Sequence, residues 1–75
     1  MQLQLISCGA KRPDRRAIAA TLEEIGTDVD SSLATELTGY LLEGTTIDVE
    51  VDGGSFSSAA RALRKLEIDY EIVEE

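Results

Sequence analysis

The segment from Thr45 to Glu75 constrains this chain most, because two alternating runs bracket a helical one. Ile47, Val49 and Val51 alternate with Asp48, Glu50 and Asp52; Ile68, Tyr70 and Ile72 alternate with Asp69 and Glu71. A period of two sends one set of side chains to a core and the other to water, so both runs read as strands of a sheet covered on one face. Between them, Gly53-Gly54 provides a turn and Ser55 an N-cap. Phe56, Ala59, Ala60, Leu63 and Leu66 then recur at helical spacing and predict a helix packed on the sheet.

The first half supplies the remaining elements. Gln2 to Ser7 alternates as a short strand, with Leu3 and Leu5 set against Gln2 and Gln4. After a loop from Cys8 to Arg12, Pro13 fits the first position of a helix, Asp14 favours its N-terminus, and Ile18, Leu22 and Ile25 form its buried stripe up to Gly26. Thr27 to Val29 lead to a second helix, capped by Asp30 or Ser31 and ended by Gly44, whose apolar face is predicted at Leu33, Leu37, Tyr40 and Leu41. Gly39 inside it suggests a close backbone approach, since glycine in a helix interior costs up to about 1 kcal/mol relative to alanine.

The order is β-α-α-β-α-β in one domain spanning residues 1–75. Each strand is half polar, so the helices belong together on one face of a three-stranded sheet: an α/β (α+β) two-layer sandwich. The helix joining the last two strands is expected to cross over right-handedly if those strands are parallel.

Composition narrows the chemistry. There is no histidine and only one cysteine, Cys8, so neither a nucleophile–base pair nor a histidine–cysteine zinc site has its parts, and an inert thiol is the expectation. No apolar run is long enough to span a membrane, and the N-terminal residues are not patterned as a secretory leader. A cytoplasmic, non-enzymatic protein without cofactor or metal is expected.

Charge points to a partner. Seven acidic residues and no basic one lie between Thr27 and Gly54, which accounts for most of the net charge of −8. Such a surface repels nucleic acid and anionic membranes and suits a basic protein. Asp48, Glu50, Asp52, Asp69 and Glu71 form the candidate docking face, with a merely solubilising surface as the plain alternative and a divalent-cation site the weakest reading. Gln2 and Gln4 would keep the acidic rows apart if the first strand is central. Two basic clusters, Lys11, Arg12, Arg15 and Arg16 and then Arg61, Arg64 and Lys65, offer a second surface unless they pair internally with Glu23, Glu24 and Glu67. Self-association through a strand edge is a further possibility. The Asp52-Gly53-Gly54-Ser55 turn lacks the lysine of a phosphate loop and reads as structural.

The element order, Ile18, Leu22 and Gly26 in and after the first helix, and the Ser55, Ala59, Ala62, Leu66 frame followed by a strand ending in acids, together resemble the C-terminal domain of the bacterial ribosomal stalk protein. The Clp protease adaptor has a related fold. The resemblance implies this two-layer fold and a role as a protein-binding helper. That family binds translation factors through basic residues on its first helix and near the start of its second. Here Ala19 and Glu23 stand at the first-helix positions, and Gly26-Thr27-Asp28-Val29 with a lysine-free helix replaces the family's turn. The resemblance therefore carries the fold rather than the translation-factor site.

Two function classes follow. The first is an acidic regulatory module, such as a phage or mobile-element inhibitor, docking its carboxylate face on a nucleic-acid-binding protein. The second is a stalk-like or adaptor-like helper that binds through its basic helix surface.

Overall fold

The computed structural model of the chain describes residues 1–73; the terminal acids Glu74 and Glu75, on which part of the resemblance rests, lie outside the described residues. Strand β1 (Gln2–Cys8) is followed by helices α1 (Arg15–Ile25) and α2 (Ser31–Leu42), strand β2 (Ile47–Glu50), helix α3 (Phe56–Lys65) and strand β3 (Ile68–Val73). The order β-α-α-β-α-β and the mixed α+β class are as the alternation predicts.

The sheet order is β2-β1-β3, and β1 runs antiparallel to both neighbours. β2 and β3 are therefore parallel to each other but separated by β1, and α3 carries the chain from one edge of the sheet to the other. Leu3, Leu5, Ile47, Val49, Val51 and Ile68 meet Ile18, Leu22, Ala34, Leu41 and Leu63 in one core between sheet and helices. Cys8 is half-buried beside it, its thiol directed at the Leu66 carbonyl at 3.5 Å.

The caps refine the expected boundaries. Asp14, rather than Pro13, opens α1: its carboxylate accepts from the Ala17 N–H at 3.1 Å, leaving Pro13 one residue outside. Asp30 caps α2 in the same way, accepting from Leu33 N–H at 2.8 Å. The Ser55 side chain makes no cap hydrogen bond. Instead Asp52 caps the single 3-10 turn Gly53–Ser55 that leads into α3. Its carboxylate reaches the N–H two residues on sooner than the shorter serine hydroxyl finds a free donor.

Helix α2 buries only part of the stripe hydrophobicity predicts: Leu41 is in the core and Leu37 packs against it, but the stripe is turned towards smaller residues. Ala34, Thr38 and Leu41 are buried, whereas Leu33 is 38% and Tyr40 50% exposed and Leu37 is only partly covered. The reason is size. α1 and α2 pack on one another, and where two helices meet, small residues at i and i+4 admit a backbone approach that leucine and tyrosine would prevent. Thr38 is tolerated there because its hydroxyl donates to the Ala34 carbonyl at 2.7 Å.

Three glycines are used differently. Gly44 takes φ +92, with its N–H bonded to Leu41 O and the Thr45 N–H to Tyr40 O, the paired bonds of a Schellman end to α2. Gly26 has an ordinary extended φ of −77 but no room: a Cβ there would overlap Val29 Cγ2 and lie 2.8 Å from Leu22 O. Gly39 contradicts the expected close approach, since nothing lies within 4 Å of a Cβ built on it.

The loop after α1 also does more than connect. Gly26 bridges Val51, and the Thr27 N–H donates to Glu50 O at 3.0 Å, so this loop covers the outer edge of β2. Among the described residues, the outer edge of β3 has no such cover.

Candidate functional site

With the helices on one face, the other face of the sheet stands open, and its rows follow from the strand register. Gln4 lies between Asp48 on β2 and Glu71 on β3; Gln2 lies between Glu50 and Val73. Past a bulge at Ile6, Ser7 pairs with Asp69 and donates its hydroxyl to Asp69 Oδ2 at 3.3 Å. The bulge puts an extra residue on the strand between core-packed Leu5 and Cys8, which leaves Ile6 36% exposed beside the acids.

Asp48, Glu50, Asp69 and Glu71 are all exposed on this face. The central glutamines set Asp48 and Glu71 two strand spacings apart, about 10 Å. Two unit charges at that distance in water repel by about 0.4 kcal/mol before salt screening. The arrangement is therefore cheap to maintain, and among the described residues only Glu50 has a counter-ion, the chain's amino group at 3.0 Å.

Asp52 stands apart from the other four. It lies past the end of β2, and its Oδ1 accepts from the Gly54 N–H at 3.0 Å. Its carboxylate serves the turn, and the structure does not place it in the rows of the open face. Among the described residues, no group of three carboxylate or thiol side chains is close enough to hold a metal ion.

The basic residues are all exposed. Among the described residues the one ion pair joins the chain's amino group to Glu50 at 3.0 Å, so Lys11, Arg12, Arg15, Arg16, Arg61, Arg64 and Lys65 make none there, and the expected pairing with Glu23, Glu24 and Glu67 is not found. The Gly9 N–H donates to Glu67 O at 2.8 Å, which ties the loop carrying Lys11 and Arg12 to the end of α3 carrying Arg64 and Lys65. Arg15 and Arg16 line a groove between α1 and α2, and Arg61 and Arg64 line one beside β3.

Sequence reasoning did not anticipate a feature between these two surfaces. Beside the β3 edge, Phe56, Ser57, Ala60, Arg61, Arg64 and Tyr70 line a shallow groove of about 270 Å³. Phe56 and Tyr70 meet edge to face with ring centroids 6.4 Å apart, forming its apolar floor. Their common placement inside the predicted core was the available signal.

Comparison with protein-family models, with curated proteins and with solved structures finds no match, so the chemistry of these surfaces carries the functional reading.

Proposed function

We propose that this protein is a non-enzymatic binding module that docks the open face of its sheet on a cationic surface of a partner protein. The observation that carries this reading is the register itself, which spreads Asp48, Glu50, Asp69 and Glu71 over one exposed face without basic side chains paired to them among the described residues. Asp48, Asp69 and Glu71, free of any ion pair among the described residues, and Glu50, held by the chain's amino group, steer a basic partner during approach and resist anionic competitors. The absence of histidine and the single half-buried thiol fit a role without acid–base or nucleophilic chemistry. An inhibitor occupying the nucleic-acid site of a cytoplasmic machine is the specific version that matches this charge and size.

A second reading rests on a separate observation: the seven exposed cations of the loop, α1 and α3 make no ion pair among the described residues. A stalk-like or adaptor-like helper would use that basic helix surface to hold an acidic partner.

Two charge-reversed variants separate these readings. Asp48→Lys/Glu71→Lys reverses the charge of the row through Gln4, and Arg61→Glu/Arg64→Glu reverses that of the α3 surface; all four side chains are exposed, so both variants retain the fold. In parallel capture experiments with identified bound proteins, the proposal expects a basic protein held by wild type and the arginine variant but lost from Asp48→Lys/Glu71→Lys. Equal retention by that acidic-face variant refutes it, and selective loss from the arginine variant establishes the helper reading.

A further inference from the structure

We infer that the outer edge of β3 is a strand-addition site for an extended segment of the partner, one that carries basic side chains on one face and apolar side chains on the other. The inference rests on the open sheet face being a docking surface, and it adds the mode of binding and the pattern of the bound segment.

Three features converge on this edge. The first is availability. The Gly26–Thr27 loop bonds along β2, whereas β3 has β1 on one side and no backbone partner on the other among the described residues. Alternate residues of an edge strand direct their N–H and C=O groups outward, where a further strand satisfies them.

The second is the contrast between the two sides of the edge. On the open side β3 presents Asp69 and Glu71. On the helical side the groove floored by Phe56 and Tyr70 is rimmed by Arg61 and Arg64. A strand added here sends alternate side chains to these two sides. Lysine or arginine is favoured beside Asp69 and Glu71 and repelled by the arginines, while an apolar side chain fills the groove. The two sides together orient the incoming strand, and a reversed pattern is opposed on both.

The third is the obstacle to a second copy of this chain. A twofold-symmetric pair of β3 strands continuing the same sheet must oppose residues of the same face. Registers centred on Asp69, Tyr70 or Glu71 set Asp69 against Glu71 or one of these acids against itself, and the register centred on Ile72, which pairs Glu71 with Val73, overlaps only the last part of the strand. Like charges directly opposite one another destabilise a cross-strand pair, so the registers with the longest overlap are opposed for a second copy and favoured for a basic strand.

The test uses a blocked short peptide alternating lysine with valine, the same peptide N-methylated at alternate amides, and one of equal composition with the lysines and valines in separate blocks. Each is titrated into isotopically labelled wild-type protein and followed by amide shifts and hydrogen exchange. The inference expects the alternating peptide to shift the β3 amides and slow exchange of those facing outward. N-methylation or blocking should weaken binding by about tenfold or more, as loss of strand pairing removes backbone hydrogen bonds but leaves charge unchanged. If all three peptides bind alike and Asp48→Lys/Glu71→Lys abolishes all of them, the edge site is overturned while the open-face reading stands. If all three bind alike and that variant still holds them, both fail. Absence of binding by any peptide overturns the edge site, as does dimerisation of the protein alone with protected β3 amides.

Discussion

Replacing Gly39 by alanine is expected to stabilise the protein, and the structure supplies both the sign and the size. Gly39 sits in the interior of α2, two turns after the Asp30 cap and one before the Gly44 stop. Its φ is not in the left-handed region, and a Cβ there meets nothing within 4 Å. The substitution therefore costs no steric strain, and the unfolded chain loses freedom that glycine alone possesses. Alanine exceeds glycine in a helix interior by about 1 kcal/mol. In a domain of this length that raises the melting temperature by roughly 4–8 °C. Thermal melts and urea titrations followed by far-ultraviolet circular dichroism measure it, with an unchanged denaturant slope showing that stability alone has moved. Gly26→Ala is the matched control. Its Cβ overlaps Val29 and crowds Leu22 O, so relief requires moving the loop that covers β2, at a cost of about 1–3 kcal/mol. A Gly39→Ala protein no more stable than wild type would refute the open environment assigned to α2, and the contrast between the two glycines would fall with it.

The remaining predictions concern helix ends and the core. Glu67 holds φ 58 at the end of α3, a conformation that suits glycine, so Glu67→Gly is expected to gain about 1 kcal/mol in a urea titration. Asp30→Ala removes the acceptor for the Leu33 N–H and is expected to lose about 1 kcal/mol; equal stability of the two proteins would show that water replaces the cap fully. Leu63→Ala empties a fully buried position between α3 and the sheet, and should cost about 2–5 kcal/mol, enough to populate the unfolded state in a domain this small. Loss of cooperativity in its circular dichroism melt is the corresponding readout.

Much of the fold was legible because burial and period act on neighbours in sequence. The alternation from Ile47 to Val51 and from Ile68 to Ile72 located two strands, and Phe56 to Leu66 located the helix between them. Only one of these apolar positions escaped cover: Ile72 shares a row with Leu3 yet is 45% exposed, because the helices do not extend that far. Elsewhere, hydrophobicity alone chose wrongly. On α2 it favoured Leu33 and Tyr40, whereas packing against α1 selected Ala34 and Thr38 for their small size.

The candidate site divides along the same line. That Asp48, Glu50, Asp69 and Glu71 share the wet side of a sheet follows from side-chain alternation, a property of each strand taken singly. Which acids face which residues could come only from tertiary structure, because strand order and register are set by contacts distant in sequence. Placing β1 in the centre puts Gln4 between Asp48 and Glu71, draws the Gly26–Thr27 loop onto β2, and leaves the edge of β3 beside Phe56 and Arg61. Asp52 shows the limit in the other direction: its place in the alternation matched the docking row, but a nearby unsatisfied N–H claimed its carboxylate for the turn. Local pattern determined the residue types available to each surface; long-range packing decided which of them stand together and which edge stays open.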